Sequence, residues 1–467
     1  MLKKIFLIIG LFVCLLGISN RAIAAASQEV LAERLAETKL IALAAGACSS
    51  SYGNSDASPE NAYLRKYNFS VKAYTVADGN SQANFILARN TNFDGQKLYI
   101  LAFRGSASKE DWMTNFASSK VPYRQGELSG VRQKVAPNEP AVHRGFNNYV
   151  NAVLAMKETV LDNAFGVDLW KEINENPRAS LLLTGHSMGG AVATLLAERL
   201  IDLGVSADKV KVITFGAPAI GNSAFADEYG ARINLLRIKT DFDPVPGSLQ
   251  TFVGGFKQFG QEEKFRLSGR VSAYQHPVSY YLDLAVKNYF DELDELIDVG
   301  FINPTPRQVL TAEAPIVAIY PVRGVNAPEQ TYGKYMSRFL VEEYLTFIPN
   351  YIVLGEVNGK PAEIAPTFKE LMQQARAVQA EYILYLDIDA KRVGQEDKWY
   401  ITLVQSLFDN KGNLITASSF GRRLTYEQGY VQCSLSNLDQ GFESLHSLLP
   451  WIEVQEERRP GGTNENY

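Results

Sequence analysis

Histidine is scarce in this chain: 467 residues contain four, His143, His186, His276 and His446. Any chemistry that needs an imidazole therefore has four places to look. Cysteine is scarcer still, with three, and one of them, Cys14, lies inside an apolar N-terminal run. That leaves Cys48 and Cys433, enough for one disulfide at most; a bridge and two small buried residues are both compatible with their separation. The chain has no long run of one charge sign, and its formal net charge is −5. Without a basic stripe, nucleic acid is excluded as the main partner. Beyond the first 26 residues no segment reaches the length of a transmembrane helix, and no internal repeat or low-complexity tract is visible.

What is present begins with a leader. Lys3 and Lys4 precede the apolar run Ile5 to Ile18, and "SNRAIAAAS" follows with small residues at Ala22, Ala24 and Ala26. A basic start, a short apolar run and an A-x-A site describe a secretory signal peptide over residues 1–26, cut after Ala24 or Ala26. An uncleaved anchor is the alternative, disfavoured because the run is short for a span. Cys14, preceded by Phe12 and Val13, is poorly set for lipidation. The expected location is secreted or periplasmic.

The remainder is long enough for two domains. "SQEVLAERLAETKLIALAAG" is helical from Ser27 to about Gly46, where the glycine should stop it. Strand-like runs follow at Ser70–Val76, Asn84–Ala88 and Lys97–Phe103, then a helix at Tyr149–Ile173 and strands at Val210–Thr214 and Ile233–Ile238. Alternating strands and helices predict an α/β layer with a mostly parallel sheet over residues 27–300. "GFINPTPRQVLTAEAP" carries three prolines and no periodicity, so residues 301–314 read as a linker. Residues 315–467 then predict a second, smaller α/β domain: "IVAIYPV", "YIVLGEV" and "YILYLDID" as strands, "YMSRFLVEEYLTF" and "FKELMQQARAVQA" as helices. A hairpin turning at Asp409–Gly412 and a last helix near Phe442–Leu449 complete it. With its own pattern behind a linker, this domain is expected to be separable from the first at about Asn303.

The chemistry centres on "LLLTGHSMGGAVATLL" at Leu181–Leu196. A buried strand runs into Gly185, and after Gly189 the apolar residues recur at helical spacing, so Ser187 sits on a strand-to-helix turn of the pattern G-x-S-x-G. Such a turn strains the serine backbone and needs neighbours without side chains. A nucleophilic serine needs a base, and in this fold class the chain order is serine, acid, histidine. His276, in "YQHPVSYY", is the only histidine downstream of Ser187 within the first domain. The acid must lie between them. "INLLRIKTDFDPVPG" supplies Asp243, stiffened by Pro244 and Pro246, with Asp241 as the alternative. The oxyanion site calls for the backbone N–H of Met188, at a helix start, and for a loop after an earlier strand. "LYILAFRGSASKEDW" offers Ser106 there.

Together these residues resemble the class 3, fungal-type lipases, a branch of the α/β-hydrolases. The resemblance rests on "AFRGSASKEDW", "VHRGF", "TGHSMGG", "TFGAPAIGNSAFA", "DFDPVP" and "HPVSYY", in family order across roughly residues 30–290. It implies that Ser187 is the nucleophile, Asp243 the acid and His276 the base, with Ser106 and Met188 forming the oxyanion hole. It also suggests a lid, because Trp112, Met113 and Phe116 share a helical face just after the oxyanion loop; core packing is the other reading of those three. Where the family often has a histidine, "GGFKQFGQEEKF" has none, only polar residues such as Gln258.

The expectation is a serine hydrolase that cleaves carboxylic esters of lipids through an acyl-enzyme, without metal or organic cofactor. A phospholipase A or a non-lipid esterase would carry the same motifs, and an idle envelope binding or assembly protein could reuse the scaffold. The lipid ester would be met at a membrane or lipid–water interface. The second domain loosely resembles small envelope-protein domains and could hold an envelope partner. In it, Asp387 and Asp389 alternate at a strand end, which reads as a solvated end before it reads as a metal site.

Overall fold

The computed structural model describes residues 28–449 except 54, 57, 79–80, 107–118, 126–134, 137, 157–164, 166–167, 267–274, 303–306, 310–313, 323–329, 358–359, 362–365, 393–398 and 426–427. The expected leader over residues 1–26 and the proposed lid residues Trp112, Met113 and Phe116 lie outside the described residues. Among the described residues no helix is long and apolar enough to cross a membrane.

A seven-stranded sheet dominates the first half. Its strands are β1 (Ser70–Asp78), β2 (Ser81–Phe93), β3 (Gln96–Phe103), β4 (Ala179–His186), β5 (Val210–Phe215), β6 (Asn234–Thr240) and β7 (Gln261–Phe265), arranged in that order. β1, β2 and β3 pair antiparallel, and β3 through β7 are parallel. The central strands β3 and β4 are buried along almost their whole length, as parallel strands covered on both faces must be. One face packs against helices α2 (Arg144–Ala155) and α3 (Met188–Asp202). The other packs against α1 (28–50) and α4 (Val278–Asp298).

The second half forms a mixed six-stranded sheet from β8 (Arg307–Val309), β9 (Val317–Val322), β10 (Asn350–Val353), β11 (Tyr382–Arg392), β12 (Trp399–Asp409) and β13 (Leu414–Arg423). The spatial order is β8-β10-β9-β11-β12-β13. Helices α5 (Gln330–Leu345), α6 (Phe368–Ala377) and α7 (Tyr430–His446) belong to this lobe. The fold is thus α/β throughout: a hydrolase-type layer with a mostly parallel sheet, followed by a second sheet-rich lobe.

Several local expectations shift, each for a physical reason. α1 does not stop at Gly46 but runs on to 50; a Cβ on Gly46 would lie 2.2 Å from the Tyr63 ring, so the glycine makes room for a tyrosine and does not end the helix. The helix expected over Tyr149–Ile173 is two shorter ones, α2 and Leu169–Glu175. β7 reads "QEEKF" and shows no apolar alternation because it is an exposed edge, where charge discourages further pairing. Part of the proline-bearing linker is strand β8, paired with β10. The last helix begins at Tyr430, well before Phe442, because its first turns bury polar side chains. Gln432, Ser434 and Asn437 are all buried, and Asn437 Nδ2 donates to the Ile401 carbonyl at 3.1 Å.

The two lobes share one apolar core. A single cluster runs from Ile41 and Leu282 through Phe290 to Phe339, Leu403 and Phe442. Phe290 of α4 meets Phe339 of α5 edge-on at 6.2 Å, and Lys66 forms a buried ion pair with Glu343 of α5. Independent folding of the first lobe does not follow from such a junction. A chain ending at Asn303 would expose Phe290, Leu293 and Ile297, now buried, at about 1.5–3 kcal/mol each. Truncation at Asn303 is therefore expected to lower the melting temperature by roughly 10 °C or more. Calorimetry of both chains checks this, and equal melting temperatures would contradict the shared core. Cys48 and Cys433 are separate buried free thiols, and burial pushes each up to about 12.

Candidate active site

Ser187 stands between the end of β4 and the start of α3, with φ 58° and ψ −128°. An L-residue held there is strained by about 1–3 kcal/mol, and the neighbours explain how the strain is imposed. A Cβ on Gly185 would lie 2.2 Å from the Gly189 carbonyl carbon, and one on Gly189 would lie 1.9 Å from the Phe103 carbonyl oxygen. Helix and strands therefore meet backbone to backbone, and only glycine fits at both positions. The Ser187 N–H donates to the Phe215 carbonyl at 2.8 Å, which locks the turn onto β5.

The three residues singled out in the sequence come together. His276 Nε2 lies 2.9 Å from Ser187 Oγ, and His276 Nδ1 lies 2.8 Å from Asp243 Oδ2. A carboxylate only accepts, so Nδ1 carries the proton and donates it to Asp243. Nε2 is left as the acceptor for the Ser187 hydroxyl. Ser187 and His276 are 2% and 4% exposed, so the chain of hydrogen bonds lies out of bulk water.

Asp243 is tied down from three sides. Tyr281 donates its hydroxyl to Asp243 Oδ2 at 2.5 Å, and the Val245 N–H donates to Oδ1 at 2.8 Å. Gly216, at φ 60°, faces the same carboxylate; a Cβ there would lie 2.5 Å from Oδ2. Burial, and then the Asp243 charge, hold the Tyr281 phenol well above its ordinary range, so it stays a donor. Asp241 instead pairs with Lys264 at the sheet edge and does not reach His276. Gln258 Nε2 donates to the carbonyls of Ala217 at 3.1 Å and Pro246 at 3.0 Å, tying the acid loop to the loop after β5.

His186 holds His276 from behind. Its Nε2–H donates to the His276 carbonyl oxygen at 2.6 Å, and its Nδ1 accepts from the Tyr52 hydroxyl at 2.7 Å. The carbonyl cannot donate, which sets this tautomer. Burial, with the neighbouring His276, holds His186 well below the usual imidazole range, so it stays neutral. His143 lies apart as the N-cap of α2, accepting from the Gly145 and Phe146 N–H groups, and burial lowers it to about 4. His446 ends α7 in the second lobe.

Ser106 follows Gly105, whose Cβ position lies 3.0 Å from the Ser187 Cβ. Met188 is the first residue of α3, where backbone N–H groups lack intrahelical acceptors. Gly105, the residue before Ser106, thus borders the Ser187 side chain, and Met188 follows Ser187 directly in the chain. Among the described residues no group of three His, Cys, Asp or Glu side chains could hold a metal, and Asp387 and Asp389 form none. Tyr281, Gly216, Tyr52 and the supporting role of His186 were not identified from sequence. Tyr281 lies on the first turn of the helix that follows His276, a signal that was available in "HPVSYY".

Comparison with known proteins follows the same region. Residues 100–252 match the family model described as Lipase (class 3). Phospholipase A1-II 1 of Oryza sativa subsp. indica is 25% identical over 195 residues, 38% of this chain and 48% of that protein. The lipase of Rhizomucor miehei is 30% identical over 183 residues, 38% of this chain and 44% of that protein. The match to these relatives thus spans about half of their length or less. Among solved structures, the native Rhizomucor miehei lipase propeptide complex is 27% identical with a TM-score of 0.33, covering 42% of this chain and 57% of that one.

Proposed function

We propose, on the match of residues 100–252 to the class 3 lipase family model, that the chain is a lipase-class α/β-hydrolase that cleaves carboxylic esters of lipids through an acyl-enzyme. The observation that carries the reading is the Ser187–His276–Asp243 chain of hydrogen bonds on the strained turn. In this reading Ser187 Oγ attacks the ester carbonyl carbon while His276 Nε2 takes the hydroxyl proton. The tetrahedral oxyanion is received by N–H groups at Met188 and Ser106. His276 then returns its proton to the leaving alcohol, the C–O bond breaks, and the acyl group stays on Ser187. Water, deprotonated by His276, attacks the acyl-enzyme; the fatty acid leaves and Ser187 regains its proton. Asp243 keeps the imidazole in the required tautomer and stabilises the imidazolium.

The substrate sits at a membrane or lipid–water interface, and the leader over residues 1–26 supports a secreted or periplasmic location. A phospholipase A reading stands beside the triacylglycerol one, because a relative named phospholipase A1 and one named lipase match at similar identity. A panel of purified triacylglycerol, phosphatidylcholine and a soluble short-chain ester tests both. The reading expects release of fatty acid from at least one lipid, abolished in Ser187→Ala; activity on none of the three would overturn it.

A further inference from the structure

We propose that the second lobe positions the catalytic histidine through α7: its N-terminus holds Asp283 of α4, and Gln432 on its first turn holds the end of α1, so that His276 is held from two sides. This rests on the hydrolase reading for its rate measurements and on the structure alone for its spectroscopic one.

The first line runs through α4. The helix starts directly after His276 and Pro277, so its orientation and that of the base are linked. Tyr281 on its first turn holds the acid. Asp283, two residues further, points about 200° away around the helix. Its buried carboxylate accepts the N–H groups of Tyr430 and Val431, both at 2.9 Å. These are the first residues of α7, whose dipole favours negative charge there. A Cβ on Gly429 would lie 2.3 Å from Asp283 Oδ2, so the approach depends on glycine. Burial pushes Asp283 up to about 7, with the two N–H bonds acting in the opposite direction.

The second line runs through α1. Gln432 Nε2 donates to Ser49 Oγ at 2.9 Å and to the Glu60 carbonyl at 2.7 Å. The Ser49 carbonyl accepts the Tyr52 N–H at 3.1 Å. Tyr52 donates to His186, and His186 donates to the His276 carbonyl. One turn of one helix therefore anchors two chains of contacts that meet at the same residue, one at the start of its helix and one at its backbone oxygen. Neither Asp283 nor Gln432 touches a reacting atom. Their part is to keep Nε2 aligned with Ser187 Oγ, where a 1 Å misplacement costs on the order of 10²-fold.

The test uses the full chain with Asp283→Ala, Asp283→Asn and Gln432→Ala. Three quantities are read: kcat and KM on p-nitrophenyl butyrate, the circular dichroism melt, and the downfield NMR proton that His276 Nδ1 donates to Asp243, identified by its loss in His276→Gln. Asp283→Ala and Gln432→Ala are expected to fold, to lower kcat about 10–100-fold at unchanged KM, and to shift or broaden the downfield proton. Asp283→Asn keeps an acceptor for one of the two α7 N–H groups and turns an N–H₂ toward the other, so it should restore both quantities part of the way toward wild type. Folded Ala variants with wild-type kcat and an unmoved proton would overturn the proposal. Should Asp283→Ala fail to fold, Gln432→Ala decides, because it cuts the other line and leaves Asp283 in place. A wild-type chain that hydrolyses no ester would count against the hydrolase reading, and the proton resonance would still decide the positioning.

Discussion

Ser187→Ala is expected to remove ester hydrolysis while leaving the fold intact. The members of a hydrogen-bonded triad act as a unit, and loss of the nucleophile costs on the order of 10⁴–10⁶ in rate. The fold should survive because the hydroxyl is not what holds the turn. That is done by Gly185 and Gly189 against the backbone and by the Ser187 N–H to Phe215. The smaller side chain leaves the strained φ of 58° in place, so the melting temperature should change little. Turnover above a tenth of wild type would remove Ser187 from the mechanism.

Asp243→Asn and Asp241→Asn should separate sharply. Asp243 accepts from His276, Tyr281 and the Val245 N–H at once. An amide in its place presents an N–H₂ to one of these donors or turns the imidazole to the wrong tautomer, a loss on the order of 10⁴-fold in kcat. Asp241 is a sheet-edge partner of Lys264, and exposed pairs of this kind are worth about 0–1 kcal/mol. Its substitution should leave kcat at the wild-type level. The reverse order, measured on the same soluble ester, would move the acid to Asp241.

The readable parts of this molecule are those where one local rule governs. Around Ser187 the strand, the two glycines and the helix all follow from a single steric demand, so the turn is legible in the sequence. The parallel strands β3 to β6 are legible too, because burial on both faces writes continuous apolar runs such as "LYILAF", whereas the charged edge strand β7 is not. What escaped notice depends on contacts made far along the chain. Gly46 looks like a helix stop until Tyr63 is seen against it. The first turns of α7 look like a polar loop until Ser49, Glu60 and Asp283 are found to satisfy them. Tyr52 and His186 become supports of the base only when α1 packs beneath β4. The proline-bearing stretch reads as a linker between separable domains, yet the core on either side of it is continuous.

The central claim is that Ser187 is an activated nucleophile, and covalent trapping addresses it most directly. The full chain is treated with a fluorophosphonate probe at neutral pH, digested, and the modified residue located by mass spectrometry. The account predicts a single adduct on Ser187, absent in Ser187→Ala and formed far more slowly in His276→Gln. A folded wild-type chain that stays unlabelled, or that carries the adduct on another residue, would contradict it.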